Sequence, residues 1–321
     1  MNRKVLVSAV AAVVLGLSIV PGSSDLCKGF VPPNDMLIAV DSPEAKGVNE
    51  KQYNDVMDQI QAAYGPIVAA RGGKLVINRR WSDATVNASA ERQGSNYILN
   101  MYGGLARHES VTQDGLALVA CHEMGHHLGG APQYPNRGWG ASNEGQSDYF
   151  ASLKCAHHIF ASPGAASFTR IEGDKEQALA SCAKVYAKPA DQTLCVRSSM
   201  AGMSLTSLLR VLRRETGPLP RFDTPDPKAV AKTSDSHPAT QCRLDTYFTG
   251  ALCSRSAADP LDDRNPAIGT CTRSQGYTVG LRPLCWYKPP VGEPNGLVQR
   301  SAPKAPALAA TLAQTDLWKG F

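Results

Sequence analysis

Apolar residues recur at helical spacing from Val48 to about Arg71, with Tyr53, Val56, Met57, Ile60, Ala63 and Tyr64 on one side, and Arg71-Gly72-Gly73 ends the pattern. Leu37 to Val40 predicts a short strand before this helix. Lys74 to Asn78, Thr85 to Ala90 and Tyr97 to Met101 predict three after it, with Gly94-Ser95-Asn96 turning the chain into the last. Beyond residue 110 the pattern becomes helical. Thr112 or Asp114 can cap a helix whose apolar stretch, Leu116 to Ala120, continues to a stop at Gly129-Gly130. Further helices are expected from Ser142 to about Phe160, Asp174 to Tyr186, Gly202 to Glu215 and Thr240 to Cys253. Strand and helix do not alternate regularly, so the expected class is α+β: a small sheet within about 35–110, then a mainly helical part within about 111–288. From Pro289 to Phe321, Pro and Ala dominate without periodicity, and a loosely ordered tail is expected.

The first residues change the picture of where this domain works. Arg3 and Lys4 precede a charge-free, mostly apolar run from Val5 to Val20, and Pro21-Gly22-Ser23-Ser24 follows with a break and small residues. This reads as a secretory signal over 1–24, with the domain proper over 25–288. The run is shorter than the roughly 20 residues of a spanning helix, which weighs against a membrane anchor. A lipoprotein signal is disfavoured by bulky Leu26 before Cys27. All nine cysteines lie after residue 24, as expected for a secreted or periplasmic protein in an oxidising compartment. Nine is odd, and Cys121, beside His122 in a helix expected to be buried, is the candidate for the free thiol. The formal charge of +5 drops by the two signal cations, and no Lys/Arg cluster with interleaved aromatics occurs. Nothing therefore points to nucleic acid.

The chemistry concentrates in His122-Glu123-Met124-Gly125-His126, an H-E-x-x-H motif within a predicted helix. Residues four apart share a helix face about 6 Å apart along the axis, so both imidazoles can reach one ion. Glu123 then stands beside the ion, where a general base for water belongs. A tetrahedral zinc with an open corner needs a third protein ligand. Glu144 is the candidate, at the start of the next helix. Asp148, four residues on, shares its face and can accept a hydrogen bond from a ligand histidine. Read alone, the two acids could merely favour a helix N-terminus.

The stretch Asn87-Ala88, Gly94, Tyr97-Ile98-Leu99, Gly104-Leu105 and Val119-Ala120-Cys121-His122-Glu123-Met124-Gly125-His126 resembles the HtpX and CAAX prenyl endopeptidase type of zinc metallopeptidase, a gluzincin family. Glu144 and Asp148 match its E-x-x-x-D signature, with Ser147 where the family usually has Ala. Ser236-His237-Pro238 with Arg243 resembles its His-Pro and Arg element. The likeness spans roughly 85–250, with the three motifs in order. It implies a zincin-like fold, one Zn2+ per chain on His122, His126 and Glu144, and peptide-bond hydrolysis of a polypeptide substrate. It further implies Asp148 behind the ligands, and His237 and Arg243 as catalytic residues that bind substrate and steady the oxyanion. The strand at Tyr97 to Met101 would then be the edge along which an extended substrate pairs. Prenyl-processing members are polytopic membrane proteins, whereas this chain has no apolar run beyond the signal, so lipidated substrates are not carried over.

Two other functions fit the same residues: a catalytically silent zincin-fold binding protein, and a hydrolase of peptidoglycan peptides. His127 is expected to point off the metal face. His157 and His158 are read as helix-end residues, and His108 as a loop residue. Trp81 and Trp286 are read as packing residues, and Trp139 as either packing or cleft lining.

Overall fold

The expected helix after residue 48 forms because Asn49 caps it: its side chain accepts from Gln52 N at 2.9 Å while Gln52 Oε1 accepts from Asn49 N at 3.1 Å. In the computed structural model, which describes residues 29–135, 138–161 and 175–291, this helix α1 spans Glu50–Ala70 and buries Tyr53, Val56, Met57, Ile60, Tyr64 and Val68. The expected signal segment, Cys27 and all but the first three residues of the expected tail lie outside the described residues.

Three strands follow: β1 (Lys74–Arg80), β2 (Ala88–Gln93) and β3 (Asn96–Tyr102), in spatial order β1-β3-β2. β3 runs parallel to β1, with Leu75 opposite Tyr97, and antiparallel to β2, with Ala90 opposite Leu99. The strand expected at the edge is thus the central one. Its residues show the consequence: Tyr97, Ile98, Leu99, Asn100 and Met101 are all buried between the two flanking strands, and the one polar side chain among them, Asn100, accepts from Asn78 and donates to Ser89 on those strands. β2 starts three residues later than expected and continues through Glu91-Arg92-Gln93. Leu37 to Val40 forms no strand. Leu37 makes an isolated bridge to Thr85, and of this stretch only Ile38 is buried.

A five-residue helix, α2 (Gly103–Arg107), follows β3 directly. Its Arg107 is buried and donates to the carbonyls of Ile38, Trp81 and Asp83, tying down the loops beside the sheet. Next comes α3 (Gln113–Leu128), capped by Thr112, whose Oγ1 accepts from Gly115 N at 3.0 Å. Asp114 is not the cap; its carboxylate pairs with buried Arg197 at 2.9 Å. Every residue of α3 from Asp114 to Leu128 is buried, so this helix is the centre of the molecule and shows no amphipathic stripe.

The next helical run is continuous from α4 (Glu144–Phe150) through a π-helical stretch, Ala151–Ala156, to α5 (His157–Phe160). Asn143, accepting from Gln146 N at 3.0 Å, caps it. α6 (Lys175–Val185) precedes α7 (Pro189–Leu212), which begins thirteen residues before the expected start at Gly202. Gly202 is not a boundary but the place where Tyr247 of α8 (Thr240–Ala251) packs against α7. The rest, to residue 291, is irregular apart from a 3-10 turn at Arg273–Gln275, and two disulfides staple it to Cys242 of α8 and to Cys253 just beyond that helix.

Cys121 is not free. It bonds Cys155, and the further pairs are Cys182–Cys195, Cys242–Cys285 and Cys253–Cys271. Neighbouring helix positions diverge by about 100°, so Cys121 points away from the face that carries His122 and meets the π-helical stretch instead. The structure is therefore α+β, with a three-stranded sheet and a disulfide-bearing helical part. No helix among the described residues is long and apolar enough to cross a membrane.

Candidate metal centre

His122 and His126 sit one turn apart on α3, and Glu144 opens α4, which crosses α3 at close range. Gly125 permits this approach: a Cβ there would lie 2.8 Å from Ser147 Cα, so a larger residue would push the helices apart. Glu144 Oε2 consequently lies 3.3 Å from His122 Nε2, and Oε1 lies 3.8 Å from His126 Nε2. One ligand atom from each residue falls within 4.8 Å of the others, so the three can hold a metal ion. A second cluster, Asp226 with Cys242 and Cys285, has both sulfurs consumed in a disulfide.

The far side of each ring is fixed. His122 Nδ1 lies 2.7 Å from Asp148 Oδ1, and His126 Nδ1 lies 2.8 Å from Ser142 O and 3.0 Å from Ser147 Oγ. Both Nδ1 atoms donate, which leaves the Nε2 lone pairs for an ion. His122 Nε2, His126 Nε2 and Glu144 Oε2 are buried without any hydrogen-bond partner. Buried polar atoms are seldom left unpaired, and three converging on one point are what a site able to hold a cation presents. Beside them, both carboxylate oxygens of Glu123 are also buried and unpartnered. The residues present therefore fit a metal.

Electrostatics agree. Burial pushes the Glu123 carboxyl up to about 8 in the protein alone, and the His126 imidazole down to about 4. Burial also opposes charge on His122, but the Asp148 carboxylate outweighs it and raises the ring to about 9. Glu144 is held below the usual carboxylate range: burial opposes its charge, and His126 with the neighbouring imidazoles overcomes that opposition. A dication at the same point would replace protons on His122 and Glu123.

His237 joins this centre, with Nε2 3.3 Å from Glu144 Oε2 and 2.8 Å from Gly29 O. Arg243 does not. Expected at an oxyanion, it is fully buried behind Asp148, with Nε–Oδ2 at 2.8 Å and Nη2–Oδ1 at 2.6 Å. Its Nη1 donates to Phe30 O at 2.7 Å, and its Nη2 to the Tyr247 hydroxyl at 3.0 Å. Its cation is thus spent on holding the carboxylate that holds His122. His127 points off the metal face, as expected, with Nε2 3.2 Å from Ile98 O. His108 Nδ1 accepts from Ser110 N within its own turn.

Three contributors are marked by no motif in the sequence. Tyr134 donates to Glu144 Oε1 at 2.6 Å and stacks on His126. Tyr247 donates to Asp148 Oδ1 at 2.5 Å. Residues 29–31 lie across the centre: Phe30 N pairs with Ala88 O at the outer edge of β2, and the Phe30 ring meets His122 edge-on at 5.2 Å. Only an aromatic in a Gly/Pro-rich loop hinted at Tyr134. Comparisons with family models, with curated proteins and with solved structures match nothing to this chain.

Proposed function

We propose that the protein is a zinc-dependent peptide hydrolase that works outside the cytoplasm, with a zincin-like fold and a gluzincin arrangement of His122, His126 and Glu144. The observation that carries this reading is the convergence of three unpartnered ligand atoms beside the unpartnered carboxylate of Glu123. Two imidazoles and one carboxylate suit zinc with a corner left open. Zinc held there would polarise the substrate carbonyl and acidify water. Glu123 takes the proton from the attacking water and passes it to the leaving nitrogen. Asp148 and Arg243 keep His122 in the ligating tautomer, and Ser142 does so for His126. His237 and Tyr134, which both contact Glu144, would bind the substrate carbonyl. An extended substrate pairs with β2, whose outer edge beyond Ala88 has no backbone partner among the described residues. Four disulfides support an oxidising location.

The test is metal analysis with peptide and casein hydrolysis for wild type, Glu123→Gln and Glu144→Ala. Wild type should carry one zinc and lose activity to chelator. Glu123→Gln should keep zinc and lose hydrolysis by at least about 100-fold, whereas Glu144→Ala should lose the metal. Hydrolysis at the wild-type rate in Glu123→Gln removes the general-base role. One observation favours a silent, binding-only protein instead: Gly29 O already occupies His237. Zinc retention without cleavage across a broad peptide library, peptidoglycan peptides included, would establish that reading.

A further inference from the structure

One residue beyond His126, at the C-terminal end of α3, side chains from β2, β3 and α3, with Trp139 of the following loop, surround one guanidinium with rings. The Arg92 guanidinium lies 3.3 Å from the centre of the Tyr97 ring and 5.3 Å from that of Trp139. His127 packs on the same two rings, at 5.1 and 4.9 Å. Stacking of this kind holds a guanidinium flat, so its fork of donors is oriented before any ligand arrives. No carboxylate of the described residues pairs with it; the neighbouring Glu91 accepts from Gln93 at 2.7 Å instead. Arg92 Nε and His127 Nδ1 are buried and lack partners. Because His127 Nε2 donates to Ile98 O, the Nδ1 left over is an acceptor.

The position matters as much as the chemistry. Arg92 belongs to β2, on the outer strand whose backbone edge is unpaired beyond Ala88 among the described residues, and its side chain shares the sheet face of Tyr97, toward α3. A peptide lying along that edge would pass Arg92 and the metal centre together. Arginine in a planar cradle matches a carboxylate by two parallel hydrogen bonds, a geometry that lysine does not reproduce.

We propose that Arg92, seated between Tyr97 and Trp139, is a specificity-determining residue that binds a substrate carboxylate, so that the substrates are acidic peptides; this rests on the peptide-hydrolase reading. The experiment uses capped hexapeptides that differ by one Glu or Gln, with that residue walked along the peptide. At one position wild type should prefer Glu by about ten-fold in kcat/KM, the worth of one charge-assisted pair. Arg92→Gln should bring that ratio close to one, and Arg92→Lys should keep only part of it. The same peptides are titrated against zinc-loaded Glu123→Gln protein by tryptophan fluorescence, with and without Arg92→Gln. If neither peptide is cleaved, the hydrolase reading fails and the ratio of binding constants decides the role of Arg92 alone. A ratio near one in wild type, or a preference for Glu that survives Arg92→Gln in both assays, overturns the proposal.

Discussion

Replacing Arg243 with Leu tests the support behind the candidate metal centre. In the native protein Asp148 is buried, and its charge is balanced by two guanidinium contacts at 2.8 and 2.6 Å. Charges about 4 Å apart attract by about 4 kcal/mol at an effective dielectric constant near 20. Removing one member of such a buried pair generally costs about 3–5 kcal/mol, because the remaining charge is stranded. Arg243→Leu should therefore destabilise the metal-free protein by about 4 kcal/mol. Asp148 would then move or take a proton, and either change loosens its bond to His122 Nδ1. Zinc affinity should fall by about 10- to 100-fold. Asp148→Asn added to Arg243→Leu removes the stranded charge, so the double variant should be less destabilised than the sum of the two single ones by about 2 kcal/mol. Urea unfolding with the disulfides intact, followed by circular dichroism, reads the stability; competition with a chromophoric chelator reads the affinity. An Arg243→Leu protein within about 1 kcal/mol of wild type, binding zinc equally well, would refute this account of the residue. Strict additivity in the double variant would show that the two side chains act separately.

Gly29→Ala should lower the melting temperature and speed zinc loss to chelator. The new Cβ would lie 2.6 Å from Asn87 Oδ1 and 2.8 Å from Ala88 O at a φ of +97°, and such strain costs about 1–3 kcal/mol. Unchanged melting and zinc exchange would show that residues 29–31 do not guard the centre. Asp245 supplies a pH signature away from the metal. Burial raises its carboxyl to about 7, above an unfolded value of about 4, so the folded state holds that proton more tightly. Its contribution is fully present below about pH 4 and is lost as pH rises through 7. Between pH 4 and 8, wild type should accordingly lose stability relative to Asp245→Asn in thermal melts; parallel curves would contradict the assignment.

Much of the centre was legible in the chain because its determinants are local. His122, Glu123 and His126 lie within one and a half turns of a helix, and Glu144 and Asp148 share a face of the next, so helical spacing alone pairs them. Apolar spacing with a stop placed α1, and cap and stop residues placed α3, within two residues, for the same reason. The sequence could not say which strands neighbour which. Hydrophobic pattern reports burial, not partners, so the strand from Tyr97 to Met101, expected at the edge, proved to be the central one. Nor could it show what Arg243 does, since Asp148 is 95 residues away and only the packing of α8 against α4 brings them into contact. The same holds for Cys121, whose partner appears once α3 is laid beside the π-helical stretch. Residues 29–31 reach His122, His237 and Arg243 across more than ninety positions of chain, as side chains and carbonyls that carry no motif. Spacing along a helix is enforced by backbone geometry and can be read one turn at a time. Closure of the centre depends on long-range packing, and this exists only after the whole chain has buried its apolar surface.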